Sequence, residues 1–216
     1  HFDVVVVGGG GAGLAAAISA AESGARVVLL EKGASLGGST AWSVGSVSVN
    51  RSPHQRRAGI DDSPDAHFDD MELLAGPLAD RDNRVLRRML VDNIAETFDW
   101  LLEMGLVFVG PHPEPPHRVA RMHNILPSSR AFPERLERRA RVLGVSMRLG
   151  VCATELVIES GSVTGVKVCD ESGREHIVAS NATVLAGGDY SAGAALLAEF
   201  AGAKAADLVP VNPGAT

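Results

Sequence analysis

A single stretch constrains this chain more than any other: Asp3-Val-Val-Val-Val-Gly8-Gly-Gly10-Gly-Ala-Gly13, then a run of small residues, then Arg26-Val-Val-Leu-Leu-Glu31. Read in order, it is a buried strand, a glycine turn opening a helix, and a second strand that closes on an acid. Glycines cluster in many loops, but here the strand before and the helix after give the G-x-G-x-x-G spacing its meaning. Gly8 permits the tight turn, Gly10 lets the backbone approach a pyrophosphate, and Gly13 lets the helix pack closely on the sheet. The free N–H groups and dipole of the helix then favour a diphosphate, with Gly11 and Ala12 in its first turn. Glu31 and Lys32 follow at the end of the second strand, where a carboxylate accepts hydrogen bonds from both hydroxyls of an adenosine ribose. A carboxylate there disfavours a 2′-phosphate, so the motif predicts FAD or NAD rather than NADP.

The chain has 216 residues, 45% apolar and 21% charged, enough for one globular domain with a substantial core. A formal charge of −6 gives no reason to propose nucleic acid or an anionic membrane as a partner. Aromatic residues at 4% also leave little with which to stack bases. Cys152 and Cys169 have no C-x-x-C spacing, which excludes metal ribbons and redox pairs, and no C-x-x-C-H for a c-type haem occurs. Two reduced, largely buried thiols are expected, and with them a cytoplasmic location. The apolar N-terminus lacks a basic leader and is broken by glycines, so it reads as neither a signal peptide nor a membrane span.

Beyond the first motif, residues 33–49 are too rich in glycine and serine for a regular element, and 50–62 read as a polar connection. Ser63-Pro64-Asp65 is a helix start. Leu86, Leu90, Ile94, Phe98, Leu101 and Leu102 recur as one apolar helical face that ends at Gly105. Residues 106–130 hold a short strand and a proline-rich loop carrying His112, His117, Arg118, Arg121, His123 and Arg130. This loop reads either as a cationic cradle for a carboxylate or the flavin, with Arg121 and His123 as the candidate catalytic groups, or as a solvated face paired with acids. Prolines between the histidines and the lack of nearby cysteines argue against zinc. A helix from Pro133 and a strand near 145–149 follow. Runs 153–159, 163–169 and 174–179 then form a small antiparallel meander, and 182–186 a separate buried strand before Gly187-Gly188. A helix over 192–202 closes the pattern.

A late meander followed by a strand ending in Gly-Gly departs from the repeated alternation of a nicotinamide Rossmann domain. The chain resembles the two-dinucleotide-binding-fold flavoproteins, and within them the fumarate reductase and succinate dehydrogenase flavoprotein family, which includes the 3-ketosteroid dehydrogenases. The resemblance is carried by Val4 to Glu31, Gly37-Gly38-Ser39-Thr40, Ala153 to Leu156, Ala186-Gly187-Gly188 and Asn212-Pro213-Gly214-Ala215-Thr216. It implies an α/β, Rossmann-like FAD-binding domain over 1–216. Residues 1–49 would form the dinucleotide-binding βαβ unit and flavin loop, 50–130 a helical insertion and loop, and 131–216 a helix, meander and return strand. The substrate-capping domain and final FAD segment of such enzymes would lie outside the chain.

Within that resemblance, Gly38, Ser39 and Thr40 wrap the FAD diphosphate, and Ala41, Ser43 and Gly45 run past the flavin. Cys152 and Ala153 touch the adenine just before Leu156, with simple strand packing as the alternative for both, and Ala186, Gly187 and Gly188 form a second glycine contact. No histidine occurs between Gly33 and Pro53, where succinate dehydrogenases tether the flavin, so noncovalent FAD is expected. The implied reaction is hydride transfer between the flavin and an activated C=C or CH–CH bond of a small molecule, with the electron partner unspecified. An FAD- or ADP-binding module without turnover and an NAD-dependent Rossmann enzyme are the alternatives.

Overall fold

A computed structural model describes all 216 residues, which divide into two compact units, 1–43 with 129–216 and 44–128.

In the first unit, β1 (Phe2–Val7), α1 (Gly11–Glu22) and β2 (Val27–Leu30) form the expected βαβ start. The short α2 (Gly38–Trp42) follows, where the sequence reading expected no regular element; Gly37 at φ 122° supplies the turn that starts it. In the second unit come β3 (Ser46–Ser48), α3 (Pro53–Arg57), α4 (Pro64–Ala75), α5 (Arg84–Glu103), β4 (Val107–His112) and β5 (Met122–Leu126). The chain then returns to the first unit with α6 (Ala131–Val142), β6 (Ser146–Arg148), β7 (Val151–Glu159), β8 (Ser162–Asp170), β9 (Glu175–Leu185) and α7 (Ala194–Phe200).

The first unit is built on a six-stranded sheet in the order β6-β2-β1-β9-β8-β7. Strands β6, β2, β1 and β9 run parallel, while β9, β8 and β7 form the antiparallel meander. The meander's last strand and the expected return strand are one element. Residues 175–179 of β9 pair with β8, and from Ser180 onward the same strand pairs with β1. The meander therefore folds back over the parallel strands, and Val166, Val168 and Val178 pack on Val5, Val28 and Leu30. Side chains alternate along a strand, so Val6 and Leu29 serve the opposite face, where α1 contributes Leu14, Ala17 and Ile18 and packs on α6. The end of β9 is not buried: Leu185 is 64% exposed. No helix is long and apolar enough to cross a membrane.

The second unit combines the antiparallel sheet β3-β5-β4 with three helices, and its helix starts are capped. Ser52 and Gln55 form a capping box on α3, a start the sequence reading took for a connection. Ser63 and Asn83 cap α4 and α5. The buried face of α5 is Arg87, Val91, Ile94, Phe98 and Leu101, while Leu86 and Leu90 point outward, so the expected stripe is rotated. At its end the Leu106 amide donates to the Leu101 carbonyl and Gly105, at φ 81°, to Leu102, a Schellman closure.

The core of this unit is unusually polar. Arg121 is fully buried and bidentate on Asp62, at 2.7 and 2.6 Å, and its third arm reaches Asp70. Asp70 also takes the Arg118 Nε at 2.7 Å, and Gln55 Nε2 donates to Asp62 at 2.9 Å. Burial works against both carboxylates, but the arginine hydrogen bonds outweigh it, lowering Asp62 and holding Asp70 at about 2. The proline-rich loop ends in a second strand, β5, which was not read from the sequence.

Replacing Arg121 by Met should strand two buried carboxylates and cost about 3–5 kcal/mol, read from urea unfolding. Because Asp70 is held below its ordinary 3.8, its contribution is present above that value and drains away as pH falls toward about 2. Acid titration of the near-UV circular dichroism should show the loss in that window. A cost under about 1 kcal/mol, the range of an exposed pair, would deny the network its structural role.

Candidate nucleotide site

The carboxyl ends of β2, β1 and β9 lead into Glu31, Gly8 and Ala186, and these three turns wall a cleft of about 410 Å³. That is where parallel α/β sheets bind ligands. The turn after β1 is clamped from both sides: the Gly8 amide donates to the Leu30 carbonyl and the Ala186 amide to the Val7 carbonyl, both at 2.8 Å. The glycines differ in what surrounds them. Gly8 sits at φ 102°, and a Cβ there would lie 2.3 Å from the Ala186 carbonyl oxygen. A Cβ on Gly13 would lie 1.9 Å from the Gly8 carbonyl oxygen, so Gly13 serves packing and does not line the cleft. A Cβ on Gly10 would meet nothing nearer than 3.9 Å, and Gly10 does line it. This is a cradle that side chains would fill.

Gly10 is the N-cap of α1 and has no side chain with which to cap it. The Gly11 amide donates to Thr40 Oγ1 at 3.1 Å, while Ala12 and Gly13 complete a first turn without protein acceptors. Thr40 thus accepts from the turn and keeps its own proton for a ligand oxygen. Glu31 is fixed in place: its two carboxylate oxygens accept the Gly9 and Gly33 amides, each at 2.7 Å. Each oxygen retains a lone pair, so the carboxylate can still receive a hydroxyl. Lys32 Nζ donates to the Thr216 carbonyl at 2.6 Å, and Asn212 Nδ2 to Ser39 Oγ at 3.0 Å.

Of the residues singled out from the sequence, Gly8, Gly10, Gly11, Ala12, Glu31, Lys32, Gly38, Ser39, Thr40, Cys152, Ala153, Ala186, Gly187 and Gly188 line this one cleft. Ala41 lies beside it, its carbonyl taken by Ser129 Oγ at 3.0 Å, and Ser43 Oγ donates to the Thr40 carbonyl at 2.9 Å. Gly45 belongs to the second unit, where its carbonyl accepts the Ile125 amide. Leu156 packs into the core rather than the cleft. The sequence reading missed Gly9 and Asp189 as lining residues, and gave Asn212 no role. Four successive glycines were the available signal for Gly9; Asn212 carries none beyond its motif. Neither thiol is buried as expected: Cys152 is exposed and Cys169 half-buried, because alternation along β7 and β8 turns both away from the core.

Arg121 and His123 lie in the second unit. The His123 Nδ1 faces the Arg121 carbonyl at 2.6 Å and so must carry the proton; its Nε2 then accepts from Ser52 Oγ at 2.9 Å. Burial lowers its pKa, keeping the ring neutral. His112, His117 and His123 form no metal-binding group.

The family model described as "FAD binding domain" matches residues 3–216. The chain belongs to the FAD binding domain family. Its relatives include the NADH:fumarate oxidoreductase of Klebsiella pneumoniae (strain 342), 29% identical over 92% of this chain and 22% of that protein. The urocanate reductase of Eggerthella lenta is 34% identical over 87% of this chain and 32% of that protein. Among solved structures, an open flavocytochrome c3 fumarate reductase superposes with a TM-score of 0.92 at 25% identity, over all of this chain and 38% of that one. The 3-ketosteroid-Δ4-(5α)-dehydrogenase of Rhodococcus jostii RHA1 superposes at 0.80 and 26%, over 92% and 48%. The chain thus spans less than half the length of these relatives. The FAD-binding domain has the cradle its cofactor requires: an open glycine backbone, free helix-turn donors and a fixed acid.

Gly8→Ala and Gly10→Ala separate fold from binding. The first should destabilise the protein by at least about 1–3 kcal/mol through its left-handed backbone. The second should leave the melting temperature unchanged and weaken FAD about tenfold, ~1.4 kcal/mol. Equal melting temperatures and equal FAD affinities for both variants would contradict this division.

Proposed function

We propose that the whole protein is a FAD-dependent oxidoreductase that moves hydride between flavin and an activated C=C or CH–CH bond of a small molecule. The observation that carries this is the cleft itself, at the ends of three parallel strands, in a chain whose relatives are named for reduction of fumarate and urocanate and for steroid dehydrogenation. Bound FAD supplies the two-electron redox chemistry. The residues of this chain bind and orient it. The amides of Gly10 and Ala12 and the Thr40 hydroxyl address the diphosphate, and Glu31 the ribose. Cys152 and Ala153 on one side and Ala186 to Gly188 on the other flank the nucleotide, with Gly38 and Ser39 closing over it and Ala41 and Ser43 continuing toward the flavin.

The cofactor is held noncovalently in this reading, supported by the absence of histidine between Gly33 and Pro53. Residues 1–216 act as the nucleotide-holding part, and groups that grip substrate and deliver protons come from a capping domain elsewhere in the whole protein. A cytoplasmic location is part of this reading.

The purified protein should show a flavin band that dithionite bleaches, and acid precipitation should release all of the colour into the supernatant. A colourless protein that binds NAD would overturn the proposal, and colour retained in the pellet would overturn noncovalent attachment. Glu31→Ala should weaken FAD by about 1.5–3 kcal/mol, the range of a hydrogen bond to a charged group. Turnover of unsaturated carboxylates or ketosteroids by the whole protein then separates an enzyme from a nucleotide-holding module.

A further inference from the structure

We propose that Cys152, which lines the cleft, and Cys169 beside it form a reversible disulfide. The two cysteines are 17 positions apart, a spacing from which the sequence reading excluded a redox pair. The register of β7 and β8 nevertheless makes them direct partners, flanked by the pairs Val151–Asp170 and Ala153–Val168. Directly opposed residues on antiparallel strands present their side chains to the same face, so both thiols stand together on the face away from the valine core. Cys152 is exposed and Cys169 half-buried. Both are free thiols, and the contacts their sulfurs make are long S–H···O=C approaches of 3.7 and 3.6 Å to the carbonyls of Ala153 and Asp170.

The separation suits a bridge. The Asp170 amide donates to the Arg174 carbonyl, which turns Asp170 toward β9 and therefore Cys169 toward β7. The cysteines thus occupy a hydrogen-bonded pair, with Cα atoms about 5.5 Å apart, inside the range of disulfides. Cβ atoms of a hydrogen-bonded pair lie at the wide end of the cross-strand range, about 5.5 Å, and must close by about 1–2 Å to bond. Local structure permits that movement. The pair lies one position from the end of the ladder, and the register shifts immediately beyond it, between Ala153 and Glu155, where Thr154 is the extra residue. A bond closed against such a restoring force, at an exposed site, is an easily reduced one.

The oxidant is a small-molecule disulfide. The more accessible Cys152, as thiolate, attacks one of its sulfurs, forming a mixed disulfide and releasing one thiol. Cys169 then attacks the Cys152 sulfur and displaces the second thiol. The protein loses two hydrogens and two electrons, and the disulfide reagent becomes two thiols. That the bond lies beside bound nucleotide rests on the FAD reading; the bond itself does not.

The test uses the whole protein in glutathione buffers of rising oxidised-to-reduced ratio, followed by acid quenching, alkylation and peptide mass mapping. Both thiols should disappear together as the ratio rises. A cross-linked peptide pair two hydrogens lighter than its parts should appear, and dithiothreitol should restore both thiols. Cys152→Ser and Cys169→Ser should each abolish the cross-link. Wild-type protein with both cysteines alkylated at every ratio would overturn the proposal, as would a lasting glutathione adduct on Cys152 beside a free Cys169. Flavin absorbance of the same samples keeps the two readings apart: a cross-link in colourless protein counts against the cofactor alone, and coloured protein without a cross-link against the disulfide alone.

Discussion

The contact between the Gly8 turn, Gly13 and Ala186 governs the first unit. Backbone meets backbone there without side chains between, and this closeness lets the β1 turn, the first turn of α1 and the end of β9 share one small volume. With any larger residue at Gly8 or Gly13 the helix would stand away from the sheet, and its free N–H groups would no longer converge where the strands end. The cleft is thus a consequence of tight packing. The same geometry leaves Gly10 facing open space, so one glycine run holds positions that must be small to fold and one that must be small to bind.

Glu31 links the two requirements. Its carboxylate closes on the Gly9 and Gly33 amides, so the acid that ends β2 also braces the glycine turn beside it. A carboxylate fixed by two backbone donors gives up little freedom when a hydroxyl arrives, which favours binding by lowering its entropic cost. It also couples ligand contact to the position of the turn. Thr40 works in the same way from α2, accepting the Gly11 amide while retaining a proton. Three separate segments are thereby held to the start of one helix.

What could be read from the chain follows from the range of the physics involved. The βαβ start, the Ser63-Pro64 helix entry and the Gly105 stop depend on neighbours within a few residues, and these stand as expected. Strand β9 was divided in two because Ser180-Asn181 resembles a break; only pairing with both β8 and β1 shows that one strand changes partners there. Helix α2 sits in a glycine- and serine-rich run with poor propensity, and tertiary contacts, not local preference, sustain it. The stripe on α5 was misplaced because Leu86 and Leu90 look like core residues while Arg87 does not. Arg87 is buried over the Phe68 ring, 3.9 Å from its centroid, and bonded to Glu72. Charge patterns in sequence cannot reveal such a partner 15 residues away.

The arginine- and histidine-rich loop shows the same limit from the side of chemistry. Read linearly, it offers cations for a substrate. Folded, Arg121 is saturated by Asp62 and Asp70, and its own carbonyl sets the tautomer of His123, which leaves Nε2 to Ser52. His67 follows the same rule: burial, reinforced by the Arg121 charge, pushes it down to about 4, and its Nδ1 accepts from Asn50 at 3.0 Å. A guanidinium with every arm engaged cannot also clamp a carboxylate without releasing one of its own, and an imidazole kept neutral by burial resists protonation near neutral pH. Arg118 and Arg121 therefore act first in the polar network of their unit, each neutralised by a partner supplied from α4 or from the segment leading into it.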